Sequence, residues 1–482
     1  MKKGSLTVFL SLSLTILISF SLFVTEIAIG NSQRIRFEAV TDMAMDSVMG
    51  EYSVALKERY GLLYVDTSYL EGAAEAVRVT DRFRVYFDAN TTKVSEKKHA
   101  PWGSLLLQEA AFSSFETAAA QGGKSMQSQM IRYMERHPEN ATEIAAAKEA
   151  VSAFSMQESS NALEAFCAVM EQIAGMELPV LEKEDGTEEE VALGNPADWV
   201  YGLIGSDVIF LCDVDLPGMT TMQMDTNGLV SHRGMQNTQS SNRNFSGDTD
   251  LFYAYLLTQM GNYGRSREGS ALSAQLEYLL AGESSDFENV RAAVAEIFTI
   301  RMGDNVRLVM GDGGLYEAAA GVADALLAVQ LCGAFREPVI QSILYACAFL
   351  ESVRDVNNLL HGGRVPLRKD SHSMSVSYVT DGSIYFNGSQ EGLSYSQFLI
   401  GMLSSKGEKI VLARAMDVLE MDIRQMTGNG QFCMDQCVER IEIHVSAQGG
   451  LDKHYEMCIR DSNIIFVYNS YYKNKVVIRL RS

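Results

Sequence analysis

The 482-residue chain is 47% hydrophobic and 21% charged, the balance of a folded globular protein and not of a disordered or polytopic membrane one. Its net charge of −21, from 40 Lys+Arg against 61 Asp+Glu, repels phosphate backbones and argues against nucleic acid as a partner. Only 7 Pro and 2 Trp stand beside 24 Met, a composition that favours helical cores, and the length accommodates two or three domains. We therefore expect an α+β, mainly α fold.

Lys2 and Lys3 precede an uncharged run from Gly4 to Thr25, which Glu26 closes. As a helix this run crosses about 30 Å of hydrocarbon. It is longer than the roughly 7–15 apolar residues of a secretory signal. A retained anchor over residues 1–30, touching membrane lipid through residues 5–25, is expected in preference to a signal cut after Ala28-Ile29-Gly30. Lys2, Lys3 and the α-amine nearly balance Arg34 and Arg36 across the span, so charge does not set its orientation. Phe37, Val40, Ala44, Val48, Tyr52, Ala55 and Leu56 recur every three or four residues, which predicts one amphipathic stalk helix to Tyr60, ended by Gly61.

Residues 31–233 read as the stalk and a first α/β head region. Leu62-Leu63-Tyr64-Val65-Asp66 and Phe83-Arg84-Val85-Tyr86-Phe87 are β-rich runs flanking an Ala/Glu helix, and Thr91 to Ala100 is a polar break. Ser104 to Met176 reads as helices interrupted near Gly122-Gly123 and at His137-Pro138-Glu139. Lys183 to Glu190 is a charged, solvated turn, and Val208 to Leu211 a strand candidate. Gly234 to Gly247, full of Asn, Gln and Ser, is a flexible loop.

A helical domain with a terminal strand is expected over 248–456. Ser270 to Ala281 is one helix, and Ser285-Asp286-Phe287-Glu288 has the capping-box form that starts another, to Arg301. Leu315 to Leu331 and Val339 to Leu360 are strongly apolar. Glu317, Asp324, Glu351, Arg354 and Asp355 make them a buried hairpin and not membrane spans. Lys409 to Met426 is the last helix and Val438 to Val445 alternates as a half-buried strand.

Met457-Cys458-Ile459-Arg460-Asp461-Ser462 resembles the translated mosaic-end adapter of transposase-based sequencing libraries, and the residues after it, to Ser482, hold Lys and Arg but no acid. Residues 457–482 are expected to be an adapter-derived chimeric tail. Intact native codons in the underlying DNA would reject this.

The chemistry-bearing residues form no recognised constellation. The 7 His show no H-x-x-x-H spacing, and no phosphate loop, G-x-S-x-G elbow or strand-linked G-x-G-x-x-G is present. Cys433 and Cys437, one helical turn apart, suit neither a disulfide nor a metal. Asp213 and Asp215 beside Cys212 fall short of a calcium cage, and Gly311-Asp312-Gly313-Gly314 is a turn before a helix. No catalytic residue, cofactor or metal is expected, and no enzyme.

Lys3-Gly4 followed at once by apolar residues is similar to the leader junction of type IV prepilins and tight-adherence pseudopilins, in which a peptidase cuts after the Gly. Gly4 and Ser5 would then flank the cut, with Phe9 where that pattern has Glu. Six sets of residues resemble an uncharacterised family of membrane-anchored proteins from Gram-positive anaerobes. They are Lys3-Gly4-Ser5-Leu6-Thr7-Val8-Phe9-Leu10, Tyr60-Gly61-Leu62 with Asp66-Thr67-Ser68-Tyr69, and Leu276-Glu277-Tyr278-Leu279-Leu280-Ala281-Gly282. Leu350-Glu351-Ser352-Val353-Arg354-Asp355-Val356, Gly362-Gly363-Arg364-Val365-Pro366-Leu367 and Gly392-Leu393-Ser394-Tyr395 complete them. The resemblance implies an N-terminus similar to tight-adherence pilus and secretion components. With the span from Lys2 to Glu26 and the continuing stalk, it leads to the expectation of a single-pass, exported, pseudopilin-like structural or interaction protein of the cell envelope, its soluble part extracellular, with other envelope or pilus-system proteins as partners. A surface binding module or adhesin using the loop at Gly234 to Gly247 is the alternative, and an envelope enzyme the third.

Overall fold

The structure, a computed structural model, describes residues 2–70, 72–95, 104–155, 161–177, 180–182, 188–190, 193–214, 223–236, 245, 247–328, 333–370, 374–384, 386, 388–450, 453–462 and 476–481. It is mostly helical with a few short strands. The helices, in chain order, are α1 (Lys2–Gly50), α2 (Val54–Tyr60), α3 (Arg78–Ser95), α4 (Ala120–Arg136), α5 (Ala141–Phe154), α6 (Ala162–Ala174), α7 (Asp198–Tyr201) and α8 (Val230–Arg233). They continue as α9 (Thr249–Gln259), α10 (Gln275–Ala281), α11 (Asp286–Gly311), α12 (Gly313–Ala328), α13 (Arg336–Leu360), α14 (Val376–Thr380), α15 (Tyr395–Ser405) and α16 (Glu408–Thr427). The strands are β1 (Leu105–Thr117), β2 (Val180–Glu182), β3 (Glu188–Glu190), β4 (Arg364–Val365), β5 (Leu393–Ser394), β6 (Val438–Gly449), β7 (His454–Ser462) and β8 (Val476–Arg481). Two compact units form, each discontinuous in sequence: residues 1–130, 234–246 and 419–482, and residues 131–233 and 247–418.

In the first unit an antiparallel sheet, ordered β1-β6-β7-β8, carries α1 on one face. Ile441, Ile443, Val445 and Ala447 of β6 and Tyr455, Met457 and Ile459 of β7 point into one core. Phe37, Val40, Ala44, Met45, Val48 and Met49 meet them from α1, and Val79, Phe83 and Phe87 from α3. Each of the Val, Ile, Phe and Met side chains among them contributes about 1.5–3 kcal/mol by leaving water, and the two alanines less. The period-2 pattern expected of Val438 to Val445 is present and extends to Gly449. The adapter-like hexamer forms the second part of β7, and residues 463–475 lie outside the described residues.

Several expectations for this unit are corrected. The stalk is two helices, because Tyr52 leaves the helix to bridge Val65 and Ser53 then caps α2, its Oγ accepting from the Leu56 N–H at 3.3 Å. Gly61, at φ 67°, ends α2 in the left-handed conformation as anticipated. Leu62 to Asp66 is extended, but its backbone pairs with the Gln129 side chain at Leu63 (3.0 and 3.1 Å) and, at Val65, with Val438, so no full strand forms. The Ala/Glu segment before Arg78 is no helix. Phe83 to Phe87 is helical: Val79, Phe83 and Phe87 fall on one stripe at four-residue spacing, which buries all three at once.

Leu105 to Thr117 is a strand where a helix was expected. Register shifts after Leu107 and Phe112 each put an extra residue in β1, flipping its inward side twice in all, while the shift after Glu116 puts the extra residue in β6, so no clean alternation survives in the sequence of β1. The interruption near Gly122 is real: Gln121, Gly122 and Gly123 all have positive φ.

In the second unit α13 is the central helix, packed by α6, α7, α11, α12 and α14. From Ser342 to Leu360 nearly every residue is buried. Leu315, Ala319, Ala323 and Leu327 of α12 are buried as well, and Arg336 grips Asp324 with two bonds (2.6 and 3.1 Å). The two helices pack on each other as the expected hairpin, α13 buried nearly all round and α12 along one stripe only, with residues 329–332 outside the described residues. The α11 helix begins as expected, Ser285 Oγ accepting from the Glu288 N–H at 3.3 Å, but runs on to Gly311. Helix α10 begins at Gln275, five residues later than expected. Of the charged turn expected over Lys183 to Glu190, Glu188 to Glu190 is a short strand paired antiparallel with β2, and residues 183–187 lie outside the described residues. Val208 to Leu211 is a 3-10 turn, not a strand; a four-residue apolar run has no periodicity to separate the two.

Candidate functional site

Two places in the molecule concentrate unusual physics. The first is the start of α1. From Leu6 to Ile27 its large apolar side chains are exposed, with Phe9 68% and Phe20 65% accessible. Beyond this the helix is covered: Tyr455 donates to Gln33 Oε1 at 3.0 Å and to the Gly30 carbonyl at 3.3 Å, and Lys453 pairs with Glu26 at 3.4 Å. At 1.5 Å per residue the 49-residue helix is about 74 Å long. Among the described residues α1 alone is long and apolar enough to cross a membrane. The helix passes through Gly4 and the exposed Ser5 without a break.

The second place is a buried charge network in the second unit. Arg301, on α11, is wholly buried, and its Nε meets Asp355 of α13 at 3.0 Å while Nη2 meets Asp304 at 3.1 Å. Its Nη1 donates to the Leu367 carbonyl at 2.7 Å. Lys369 Nζ lies 2.6 Å from both Glu351 Oε1 and Asp355 Oδ1, and Arg354 pairs with Glu351. Burial pushes the Asp355 carboxyl up, but Arg301 and Lys369 outweigh it and hold the group below the usual carboxylate range. Isolated ions would not tolerate such burial; pairing and hydrogen bonding make it possible.

This network floors a cavity of about 730 Å³. Asn358 ties its walls together, donating to the Arg364 and Ser389 carbonyls (3.0 and 3.2 Å) and accepting from the Ser389 N–H at 3.2 Å. Gly392, at φ +98°, lets β5 approach β4: a Cβ there would sit 2.1 Å from the Pro366 nitrogen. Arg364 and Arg368 stand at the exposed rim.

A further ionisable group sits apart from this floor. Glu277 on α10 is fully buried, its Oε1 accepting from Tyr395 OH at 2.9 Å and the Tyr263 N–H at 2.8 Å. Its Oε2 has no partner among the described residues. Burial pushes its pKa up to about 7.

In the first unit Glu420, Cys433 and Asp435 bring ligand atoms within 4.8 Å of one another and could hold a metal ion. Arg424 already pairs with Glu420 and donates to Cys433 Sγ at 3.8 Å, while the Met434 N–H donates to Glu420 at 3.0 Å and that of Gln236 to Asp435 at 2.9 Å. The guanidinium occupies the role of a cation, and the cluster pins the turn from Cys433 to Cys437. That turn is a 3-10 element flanked by the two cysteines, and Cys437 donates to the Cys433 carbonyl at 3.3 Å.

Other candidates read from the sequence do not assemble. Asp213 is exposed and its N–H donates to Asn357 Oδ1, while Asp215 lies outside the described residues. Burial pushes the Cys212 thiol up to about 12, away from nucleophilic use. His137 and His361 each hold a backbone carbonyl four residues back. Gly311 to Gly314 is the junction of α11 and α12, with Asp312 capping Leu315 at 2.8 Å. Most of the loop at Gly234 to Gly247 lies outside the described residues.

The charge network and Glu277 were missed by motif reasoning, yet a signal existed. Four of the stretches that carried the family resemblance converge in this unit. Leu350 to Val356 and Gly362 to Leu367 supply the cavity, and Leu276 to Gly282 meets Gly392 to Tyr395 through the Glu277–Tyr395 bond.

The fold and these sites define a mostly helical protein with one N-terminal helix able to span a membrane. The chain belongs to a family of unknown function, DUF5702, whose model matches residues 186–449. No curated protein and no solved structure matches it.

Proposed function

We propose that this chain is a single-pass, exported structural or interaction protein of the cell envelope, pseudopilin-like, displaying its helical head outside the cell membrane. The observation that carries the reading is the division of α1. Residues 5–25 offer an uncharged, exposed apolar surface to lipid, and residues 33–49 bury a stripe on an antiparallel sheet. A membrane helix running straight into a head-packed stalk is the architecture of a pilin-like subunit, and the Lys3-Gly4-Ser5 junction adds the leader resemblance. The unbroken helix through Gly30, whose carbonyl accepts from Tyr455, favours retention over cleavage there. The role we assign is non-enzymatic, and the charged groups of the second unit are buried and paired with one another as structural ion pairs are. Its partners are membrane lipid and other envelope or pilus-system proteins.

Mass spectrometry of the mature N-terminus is the direct test. An intact start supports an anchor and a start at Ser5 a processed pseudopilin, whereas a start after Gly30 overturns both. Protease added to intact cells is expected to digest the head; protection until lysis rejects the outward orientation.

A further inference from the structure

We propose that the first unit is seated on the bilayer: the end of its sheet formed by the β6–β7 turn and the start of β1 lies in the phospholipid headgroup layer of the leaflet that α1 leaves. The proposal rests on the reading of α1 as a membrane span and adds where the folded part meets lipid.

The sheet grips α1 immediately after the uncharged run. Lys453 Nζ lies 3.4 Å from Glu26, and Tyr455 donates to the Gly30 carbonyl at 3.3 Å and to Gln33 Oε1 at 3.0 Å. The approach is close: a Cβ on Gly30 would sit 3.2 Å from the Lys453 ammonium, and one on Gly449 2.8 Å from Gln33 Oε1. The Gly449 N–H donates to the Lys453 carbonyl at 2.7 Å and the Gly450 N–H to the Ser104 carbonyl at 3.1 Å, so the turn and the chain entering β1 end at one level. Helix α1 is continuous through these contacts and passes from apolar run to packed stalk without a spacer.

The lipid-facing surface of α1 reaches as far as this grip. A helix turns about 100° per residue, so Ile27 and Ala28 point away from Glu26, and both are exposed. Between Glu26 and Arg34 the sequence carries no charge, and Glu26 itself is turned to Lys453. The hydrocarbon boundary therefore falls at Ile27 to Ala28 on the side away from the sheet. From Ala28 to Gln33 the helix rises about 7 Å, and a headgroup layer is about 5–8 Å thick. The layer thus extends to the level at which Gly449 and Tyr455 touch the helix.

The side chains at this level match such a layer. Leu106 pairs with Gln448, one residue from Gly449, and is 62% exposed, while its neighbours Leu105 and Leu107 turn into the core. Lys453 lays its apolar stem against Gly30 and carries its ammonium to the half-exposed edge, the habit of a lysine at a membrane surface. The same ammonium neutralises the one acid that α1 brings to this level, which phosphate groups would otherwise repel.

The test places photo-crosslinking benzoylphenylalanine at one of three positions of the full chain in phosphatidylcholine liposomes, with lipid adducts read by mass spectrometry. Phe20 reports on the span and Leu106 on the end of the sheet. Val54, exposed and past the far end of α1, about 36 Å along the helix from Glu26, is the control. Adducts at Phe20 and Leu106 with none at Val54 are the expected result. Adducts at Phe20 and none at Leu106 overturn the proposal while leaving α1 a span, and equal adducts at all three overturn it because the contact is then unselective. No adduct at Phe20 removes the span and the proposal with it. Leu106 and Val54 are exposed, so each variant is expected to keep the unfolding midpoint of the unmodified chain.

Discussion

The first half of α1 and the whole of α13 are both long and apolar, and they are built for opposite solvents. Along α1, from Gly4 to Thr25, there is no charge, and Phe9, Leu17 and Phe20 stand more than 60% exposed. Along α13, Ile340, Ile343 and Val353 are wholly buried, and Glu351, Arg354 and Asp355 share that burial at 5% exposure or less. The difference is not one of apolar content. A charge is tolerated in α13 because Arg301 and Lys369 reach it from other segments, whereas a lone helix in lipid has no partner to offer.

The comparison breaks most severely if its partners are removed. Arg301→Ala leaves Asp304 and Asp355 buried without their guanidinium, and urea unfolding of the full chain in neutral detergent should register a loss of about 3–5 kcal/mol. A loss below about 1 kcal/mol would mean that water replaces the arginine and that α13 is not a sealed core. The converse change, Leu17→Arg, places an unpaired charge mid-span at a cost of about 3–4 kcal/mol of insertion. The chain is expected to move from the membrane to the soluble fraction with the head's unfolding midpoint unchanged.

Glu277 is the contrasting case, a buried acid whose bonds come from a phenol and a backbone N–H and not, among the described residues, from a cation. Its folded pKa of about 7 lies above the unfolded carboxylate value, so the folded state holds the extra proton. Stability is therefore highest below the unfolded pKa and is lost as pH rises toward 7, by about 3 kcal/mol for this group. Glu277→Gln keeps a neutral partner for Tyr395. It should match the wild type at pH 5 and exceed it at pH 8 in denaturant titrations. The smallest effect is at the start of α11, which supplies Arg301: Ser285→Ala removes the cap on Glu288 N–H and is expected to cost about 1 kcal/mol. A loss near zero would show that Asp286 and Glu288 alone hold that end.

Periodicity made much of the second unit legible. The Ser285 cap, the α12–α13 hairpin and α16 follow from apolar spacing and charge interruptions, which are local properties. Where the sequence misled, a distant partner had decided. Leu105 to Thr117 has the composition of a helix, but β6 pairs along its length and two bulges in β1 scramble its alternation. Phe83 to Phe87 alternates like a strand, but the stripe of Val79, Phe83 and Phe87 had α1 to bury against.

By itself the sequence determined the uncharged span at the start of α1, the mainly α class and the exclusion of α13 from lipid, since hydropathy and helical period are written in neighbouring residues. Only the tertiary structure decided where α13's charges find their counterions, that Glu277 meets Tyr395, and that three segments between Glu351 and Gly392 line one cavity. The physical reason is one of range. A helix is closed by bonds four residues apart, whereas a buried ion pair depends on which surfaces the core brings together, and no local pattern records that.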